Sequence, residues 1–331
     1  MVRSLLRAHK PDILWFMTDP RFFGWLWEIE NEVRSLVPMV YYHVWDNYPY
    51  PKFNKVFYNS NDIIATISKV TAPEVESHYF PHAVNSTFYK VLPDHDRDHF
   101  LETGFPHVNL KDKFLFFWNN RNARRKQSGS LIFWFKEFLD KVGHDKASLI
   151  MHTDPKDGHG QDLEAIVNDL GLVNGEVIFS TQAVPPEILS KIYNSVDCTI
   201  NISDAEGFGL ATLESLACGT PIIVNMTGGL QEQVTDGENW FGIGIEPSSK
   251  AIIGSQHVPY IYEDRISKDD FVDAMLRMYN MSEEEKNKMI DLGLQHIDNN
   301  YNFKHFEVRW PMFLKDVHDR HGSWETPKKR K

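Results

Sequence analysis

The sequence has few cysteines, no long apolar run and no excess of positive charge, and each absence narrows its range of functions. Cys198 and Cys218 are the only cysteines and lie in predicted core elements, so neither a disulfide framework nor a cysteine-based zinc site is expected. No run of about 18 apolar residues exists and no signal peptide opens the chain, so we expect a cytoplasmic protein, with peripheral membrane contact left open. The net charge of −11 argues against a general nucleic-acid-binding protein.

Apolar strand-like runs alternate with helical stretches along the sequence, a pattern typical of parallel α/β folds. A length of 331 residues predicts two domains, and 42% hydrophobic content is enough for a core in each. A polar segment at 93–110 links the two halves. The predicted strands cover 11–17, 37–43, 62–67, 114–118, 147–152, 176–179, 196–202, 221–225 and 241–245. The predicted helices cover 22–36, 70–78, 129–142 and 269–317.

The most informative motif is a glycine-containing turn between two glutamates, Glu206-Gly-Phe-Gly-Leu-Ala-Thr-Leu-Glu214. It follows the predicted strand 196–202, and its second half has helical composition that is closed by Gly219. The amide groups of residues 207–210 therefore fall at a helix N-terminus, where N–H donors and the helix dipole favour an anion such as a pyrophosphate. With about 1.5 Å of rise per helical residue, the two carboxylates stand on the order of 10 Å apart.

This run closely resembles the signature of the retaining glycosyltransferases with the GT-B fold, the group 1 glycosyl transferases, at both glutamates and at the glycines between them. The resemblance implies that Glu206 lies near the donor hexose and that Glu214 binds the ribose hydroxyls of the nucleotide. The other implied donor-binding positions in the run are Phe208, Gly209, Leu210 and Thr212. A solvated helix face is the alternative interpretation of the two glutamates.

A basic segment after the predicted strand 114–118 supports the same interpretation. Cationic side chains placed after a strand suit a diphosphate leaving group. In the resembling family a Gly-Arg pair is followed, four residues later, by Lys-Gly. Arg121 and Lys126 keep the Arg-to-Lys spacing, whereas Asn120 and Gln127 replace both glycines. We therefore predict that Arg121 and Lys126 stabilise the departing diphosphate.

Other donor-side positions carry a weaker signal. Arg124 and Arg125 are interpreted either as helper cations or as part of a solvated basic turn. The resemblance places the nucleotide base in the loop after the strand 176–179, where Gln182 and Ala183 offer backbone groups to the base edge.

The first half is shorter than in the resembling family. Family members begin with a strand and a glycine-rich loop, whereas residues 1–9 are predicted to form a helix that leads into a later strand. We expect either a fragment or an abbreviated acceptor domain. Since ligands bind outside the carboxyl ends of parallel strands, His43 is the first-domain candidate for catalysis and Asp46 its companion. A histidine that only caps its strand is the alternative.

An Asp-x-Asp pattern within Asp94-His-Asp-Arg-Asp98-His99 is a form that binds a divalent metal in other glycosyltransferases, but it lies in the predicted linker. A solvated charged loop is therefore favoured, and no metal ligand is assigned. Arg121 and Lys126 neutralise the diphosphate, so we expect transfer without a metal or another cofactor. The expected partners are a nucleoside diphosphate sugar as donor and a carbohydrate-containing acceptor.

Together these patterns predict an α/β protein, and the resemblance implies the GT-B fold, in which two Rossmann-like domains with parallel sheets face each other across a cleft. Residues 1–110 are expected to form the abbreviated acceptor-side domain, and residues 111–300 the donor-binding domain. Residues 301–331 are expected to form a helix that crosses back to the first domain and a basic tail. The resemblance implies hexose transfer with retention of configuration, and we expect this transfer to need no metal. A sugar-nucleotide epimerase of the same fold and a non-catalytic nucleotide-sugar-binding subunit are the alternatives.

Overall fold

A computed structural model describes residues 1–72, 75–324 and 326, and the predicted basic tail at 327–331 lies outside the described residues. In this described part of the chain, no helix is both long enough and apolar enough to cross a membrane. Two larger parallel β-sheets are flanked by helices, which confirms the predicted α/β class. We call the part of the chain built on the first sheet unit 1 and the part built on the second sheet unit 2.

Unit 1 contains a four-stranded parallel sheet in the order β1-β2-β3-β4. Its strands are β1 (Leu14–Thr18), β2 (Met39–His43), β3 (Ile63–Thr66) and β4 (His78–Tyr79). Its helices are α1 (Val2–His9), α2 (Gly24–Trp27), α3 (Glu30–Leu36) and α4 (Lys55–Asn59). β2 is buried along its whole length, as expected of a central parallel strand covered on both faces. Thr18, His43 and Thr66 are in register, so the loops after these strands open at one edge of the sheet.

Two predicted helices of unit 1 differ in the structure. The predicted helix 22–36 is divided into a short 3-10 turn followed by α2 and α3. The described residues of the predicted helix 70–78 are not helical, and β4 begins at its end. The Glu232 carboxylate of unit 2 accepts hydrogen bonds from the backbone N–H groups of Lys69 and Val70, at 2.6 and 3.1 Å. These donors are therefore satisfied by unit 2, without a helix.

Unit 2 contains a six-stranded parallel sheet in the order β10-β9-β8-β5-β6-β7. Its strands are β5 (Phe114–Asn119), β6 (Ala147–His152), β7 (Val177–Ser180), β8 (Cys198–Asn201), β9 (Ile222–Asn225) and β10 (Gly242–Ile245). Its helices up to β10 are α5 (Arg97–Gly104), α6 (Ser128–Val142), α7 (Leu163–Asp169), α8 (Pro186–Tyr193), α9 (Leu210–Ala217) and α10 (Leu230–Val234). All six predicted strands of this half are present. Cys198 and Cys218 are buried in unit 2, as expected.

An antiparallel ribbon of β11 (Ser249–Ser255) and β12 (Val258–Arg265) follows β10 and pairs with neither large sheet. It was not predicted. Its base is joined to unit 2 by a hydrogen bond from the Asp264 N–H to the Asp204 carbonyl, 2.8 Å long. Its outer part touches unit 1, because the Asn47 side-chain amide donates to the Tyr262 carbonyl at 2.7 Å. The ribbon therefore connects the two units at one edge.

The C-terminal region is helical, with α11 (Lys268–Tyr279), α12 (Glu283–Asn300) and α13 (Phe303–His321). The helix α13 lies against unit 1: the Trp310 ring centroid is 5.0 Å from that of Tyr42 and 4.6 Å from that of Phe80. The Val84 N–H also donates to the Tyr301 carbonyl at 3.0 Å. Helix α13 therefore follows unit 2 in the sequence but packs against unit 1.

Candidate functional site

A cleft of about 470 Å³ lies between the units, at the carboxyl ends of their parallel strands. Unit 1 contributes Val44, Asp46, Ile67 and His82 to its lining. Unit 2 contributes Asn119, Asn120, Lys126, Leu189, Asn201, Glu206, Phe208, Gly209, Leu210, Ala211 and Glu214. Ligands of open α/β sheets bind outside the carboxyl ends of the strands, which is where this cleft lies.

Glu206 is 8% exposed and lies in the loop between β8 and α9, where unit 2 meets unit 1. Its carboxylate forms an ion pair with the Lys126 ammonium and accepts a hydrogen bond from the Asn201 amide at 3.4 Å. Arg125 Nη1 is 3.9 Å from the same carboxylate oxygen. Burial alone would raise the pKa of Glu206, but the charges of Lys126 and Arg125 lower it below the ordinary value. Glu206 is therefore held as a carboxylate.

Asp46 brings a carboxylate of unit 1 to the same point. It accepts a hydrogen bond from the Gly207 N–H at 3.0 Å, and Arg125 Nη2 is 3.1 Å from it. Burial raises the pKa of Asp46. The positive charge of Arg125 acts in the opposite direction but does not cancel this rise. A Cβ atom on Gly207 would lie 2.7 Å from the Trp45 carbonyl, so the close approach of the two units at this point requires glycine.

The turn between Glu206 and α9 ends at Gly209, whose φ of +91° lies in the left-handed region that favours glycine. α9 begins at the next residue, Leu210, which lines the cleft. The N–H groups of its first turn have no acceptor within the helix, and they point out of the helix N-terminus. Leu210 is half exposed and lines the cleft beside the buried Phe208 ring. The turn therefore offers N–H donors at a helix N-terminus, as a diphosphate requires.

Glu214 lines the other end of the cleft in a different environment. Its carboxylate accepts a hydrogen bond from the Tyr193 hydroxyl at 2.9 Å, and the Asn119 amide donates to that hydroxyl at 3.0 Å. Burial raises the pKa of Glu214 to about 7, because the hydrogen bonds from tyrosine hydroxyls only partly offset desolvation. This carboxyl changes its charge near neutral pH.

The structure corrects the expectation that His43 faces the donor. His43 is fully buried, and its Nε2 lies 3.1 Å from the Tyr58 hydroxyl in the core of unit 1. Side chains alternate across a strand, so His43 shares the Tyr41 face of β2, whereas Tyr42 and Val44 share the face toward unit 2. Burial lowers the pKa of His43 to about 3, so the ring is neutral.

Arg121 is also outside the cleft, contrary to the prediction. Its side chain is 60% exposed and pairs with Asp157 in the loop after β6, with Nε 2.6 Å from the carboxylate. Its Nη2 lies 2.7 Å from Nδ1 of His159. Of the two predicted cations, only Lys126 lies in the cleft, and Arg125 is the arginine that reaches Glu206.

Three further predicted donor-binding residues lie away from the cleft lining. Thr212 is fully buried, and its hydroxyl, which has one proton to donate, lies 2.8 Å from the Gly209 carbonyl oxygen and 2.6 Å from the Gln233 amide oxygen, so it supports the turn from within. Gln182 and Ala183 are exposed in the loop after β7. The structure places these last two at the same sheet edge as the cleft but not in its wall.

His82 lines the cleft, although no role was predicted for it above. Its Nδ1 is 3.1 Å from the Tyr42 hydroxyl, which itself donates to the Phe80 carbonyl at 2.7 Å. Because the Tyr42 hydroxyl proton is already donated to the Phe80 carbonyl, His82 donates from its Nδ1–H to the Tyr42 oxygen. The Nε2 atom of His82 is then a hydrogen-bond acceptor. Burial lowers its pKa to about 4, so this neutral form persists. Its position in the Pro81–Asn85 stretch, where the resembling family has asparagine, was the available signal.

The Asp94–His99 stretch lines a separate cavity of about 540 Å³ beside α5, apart from the residues described above. His95 Nε2 is 2.7 Å from the Ser195 hydroxyl, and Arg97 pairs with Asp197 at 3.0 Å. Within residues 1–72, 75–324 and 326, no group of three or more His, Cys, Asp or Glu side chains is arranged to hold a metal ion. The stretch packs the linker onto unit 2.

Comparison with known proteins identifies the family of this chain. Residues 108–275 match the family described as "Glycosyl transferases group 1". The D-inositol 3-phosphate glycosyltransferase of Acidothermus cellulolyticus is 44% identical over 77 residues, which are 23% of this chain and 17% of that protein. The same enzyme of Thermomonospora curvata is 34% identical over 92 residues, 28% of this chain and 21% of that protein. The matches thus span about a fifth of these curated relatives.

Solved structures match over nearly the whole chain. Sucrose-phosphate synthase of Thermosynechococcus elongatus aligns with a TM-score of 0.72 at 16% identity, over 96% of this chain and 77% of that one. Anabaena HepE, solved in complex with UDP-glucose, aligns with a TM-score of 0.72 at 15% identity, over 95% of this chain and 81% of that one. At these identities the likeness establishes a shared fold.

Proposed function

Because the chain belongs to the group 1 glycosyl transferases and has the GT-B fold, we propose that it transfers a hexose from a nucleoside diphosphate sugar to a carbohydrate acceptor. The observation that carries the proposal is the cleft cluster in which Glu206 is flanked by Lys126 and Arg125 beside the N-terminus of α9. Cations, N–H donors and a carboxylate within one cleft match the chemistry of a sugar linked to a diphosphate.

The donor is proposed to lie along the cleft from Glu214 to Glu206. Ribose hydroxyls would donate to the Glu214 carboxylate, and the diphosphate would accept from the N–H groups at the start of α9. The hexose would then lie beside Glu206. UDP-glucose is the first donor to test, since the Anabaena neighbour was solved in complex with it.

The departing diphosphate is proposed to be stabilised by Lys126 and Arg125. The Lys126 ammonium has three donors, so it can contact phosphate oxygens while keeping its ion pair with Glu206. Preorganised cations in a cleft stabilise charge as it develops on a leaving group, typically by a few kcal/mol per donor. We propose that these side chains make a metal ion unnecessary and that the hexose is transferred with retention.

His82 is proposed to bind a hydroxyl of the donor hexose. Its Nε2 is an acceptor, and its ring stands edge-on to Phe208, with centroids 4.9 Å apart. A hexose hydroxyl beside Glu206 is a suitable donor for this nitrogen. In this way unit 1 would complete the donor site with His82.

The test is a transfer assay with the purified protein, UDP-glucose and glycoside acceptors, with and without a chelator. Release of UDP with formation of a glycoside of the same anomeric configuration, unchanged by the chelator, is the expected result. Nuclear magnetic resonance of the product reports the configuration. A product of inverted configuration, or turnover abolished by the chelator and restored by a divalent metal, would overturn those parts of the proposal.

A sugar-nucleotide epimerase is the second candidate, and Asp46 is the observation that favours it. An epimerase needs an acid or base in unit 1, and burial raises the pKa of Asp46 in the cleft. Incubation of the protein with the sugar nucleotide alone decides between the two. Inversion at C2 of the sugar without an acceptor supports the epimerase, whereas an unchanged C2 supports the transferase. Binding without any turnover would support a non-catalytic subunit.

A further inference from the structure

A second cavity, of about 170 Å³, adjoins the donor cleft and has no role in the proposed donor site. Val44 and Asp46 line both cavities, so they form a shared wall. Trp45, which is 3% exposed, lines the second cavity next to them. Arg125 also lines it and lies 3.9 Å from Glu206. The inner end of the second cavity is therefore separated from the proposed hexose position by a single layer of side chains.

The outer wall of this cavity is the antiparallel ribbon of β11 and β12. Val258, Ile261 and Glu263 of the ribbon line the cavity. The ribbon is held in place from both units, since Asn47 donates to the Tyr262 carbonyl at 2.7 Å and Arg124 binds Glu263 through two hydrogen bonds of 2.6 and 2.9 Å. The ribbon thus forms one side of the cavity, and unit 1 and the turn that carries Arg124 and Arg125 form the other sides.

The cavity lining contains three arginines and three carboxylates, so its formal charges cancel. Each of its three guanidinium groups is paired with a carboxylate that also lines the cavity. The pairs are Arg21 with Asp19 at 2.9 Å, Arg124 with Glu263 at 2.6 Å, and Arg125 with Asp46 at 3.1 Å. No excess cation is therefore left in this lining for a phosphate group.

We propose that this cavity binds the acceptor and that the acceptor group held there is a neutral, hydroxyl-rich sugar, an inference that rests on the proposed transferase function. Paired guanidinium and carboxylate groups supply donors and acceptors that match adjacent hydroxyls. The Trp45 ring and the Val258 and Ile261 side chains supply an apolar wall for the C–H face of a sugar ring. The ribbon would thereby select the acceptor.

The position of the cavity fits the transfer step. An acceptor hydroxyl at its inner end would face the anomeric carbon of a hexose lying beside Glu206. The acceptor oxygen then bonds to the anomeric carbon, and the bond from that carbon to the diphosphate oxygen breaks. The hydroxyl proton leaves with the diphosphate, so no further reactant is needed.

The test is a substitution that fills the cavity from the ribbon, Ile261→Trp, compared with Ile252→Trp as a matched control. Ile252 lies on the same ribbon, is 67% exposed and is outside the cavity lining. The probes are methyl glucoside and methyl mannoside and their 6-phosphates, added to the intact 331-residue chain with UDP-glucose. We expect the neutral glycosides to accelerate UDP release in the wild type. We expect Ile261→Trp to raise the acceptor KM at least tenfold and Ile252→Trp to leave it unchanged.

Two measurements separate this inference from the proposed function. UDP-glucose hydrolysis without an acceptor tests the donor site, and it should be equal in the wild type and in the control variant Ile252→Trp. Saturation-transfer nuclear magnetic resonance of the glycosides with the UDP-bound protein tests acceptor binding without turnover. Glycoside signals that persist in Ile261→Trp, a stronger response to the 6-phosphates, or no glycoside binding to the wild type would each overturn the inference. Failure of donor hydrolysis alone would count against the proposed function.

Discussion

The two ends of the donor cleft hold a carboxyl group in opposite electrostatic environments. Glu206 lies beside Lys126 and Arg125, whose charges lower its pKa. Glu214 belongs to the same loop and helix, but it accepts a hydrogen bond from the Tyr193 hydroxyl, and burial raises its pKa to about 7. One end therefore keeps its charge pattern across the physiological range, whereas the other gains or loses a proton within it.

The largest effect is expected from removing the cation at the Glu206 end. Lys126→Met removes the nearer of the two cations beside the buried Glu206 carboxylate and one donor from the proposed diphosphate site. We expect turnover to fall about 10³-fold, and the free energy of unfolding to fall by about 3–5 kcal/mol. Steady-state kinetics and urea denaturation measure the two effects.

The matched control for this prediction is the double variant Lys126→Met with Glu206→Gln. It removes the buried charge together with its partner, so stability should return while turnover stays low. Turnover of Lys126→Met within a few-fold of the wild type would show that the Glu206 end does not depend on this cation.

A smaller loss is expected at Arg125, which joins the two units through Asp46 and Glu206. Arg125→Ala should lower turnover about 10²-fold, because a preorganised donor is lost while Lys126 remains. Arg125→Lys keeps the charge but cannot contact both carboxylates, so an intermediate value is expected. Equal turnover in Arg125→Ala and the wild type would remove Arg125 from the site.

The Glu214 end should make nucleotide binding sensitive to pH. In the proposed donor site, ribose hydroxyls donate to the ionised Glu214 carboxylate, so with a pKa of about 7 the affinity for UDP should rise about tenfold from pH 6 to pH 8. Isothermal titration calorimetry at several pH values measures this rise. Glu214→Gln should bind more weakly at pH 8 and show a nearly flat profile. A profile of unchanged slope in the variant would assign the titration to another group.

The same pKa has the opposite effect on the free protein. The carboxyl of Glu214 is harder to ionise in the folded chain than in the unfolded chain, so its ionisation lowers stability as pH rises toward and through 7. Glu214→Gln should therefore raise Tm more at pH 8 than at pH 6, a comparison that thermal unfolding measures.

His82 and His43 offer a contrast between a cleft histidine and a core histidine. His82→Phe should lower kcat/KM for the donor about fivefold through the loss of one hydrogen bond, and His82→Asn should retain part of it. His43→Phe should change the free energy of unfolding and leave the donor KM unaltered. A donor KM that responds to His43 and not to His82 would reverse the assignment.

The smallest effect is expected at Arg121, which is paired with Asp157 outside the cleft. Arg121→Ala should change turnover by less than about twofold, since exposed ion pairs contribute little. Arg125→Ala serves as the positive control in the same assay. A large loss in Arg121→Ala would indicate that the loop rearranges when the donor binds.

The donor side of the fold could be predicted because its signal is local in sequence. The turn at Gly207 and Gly209, the helix that follows and the strand that precedes it are contiguous, so periodicity and glycine placement were sufficient. The GT-B fold is confirmed by the two parallel sheets and by the solved structures of similar fold.

The remaining features depend on contacts between distant residues. β2 is apolar or aromatic on both faces, so sequence alternation could not show which face carries His43. Arg121 is drawn away by Asp157, a pairing that spacing does not encode. In the ribbon 249–265, β11 is mostly exposed and β12 contains Pro259, and both features weaken a strand signal.

The return of α13 to unit 1 has a consequence for the synthesis of this chain. Trp310 packs on Tyr42 and Phe80, and the Trp324 indole donates to the Pro11 carbonyl at 2.9 Å. Residues 1–84 leave the ribosome before unit 2, but part of their core is supplied by residues that are made after unit 2. The core of unit 1 is therefore completed only after unit 2 has been synthesised.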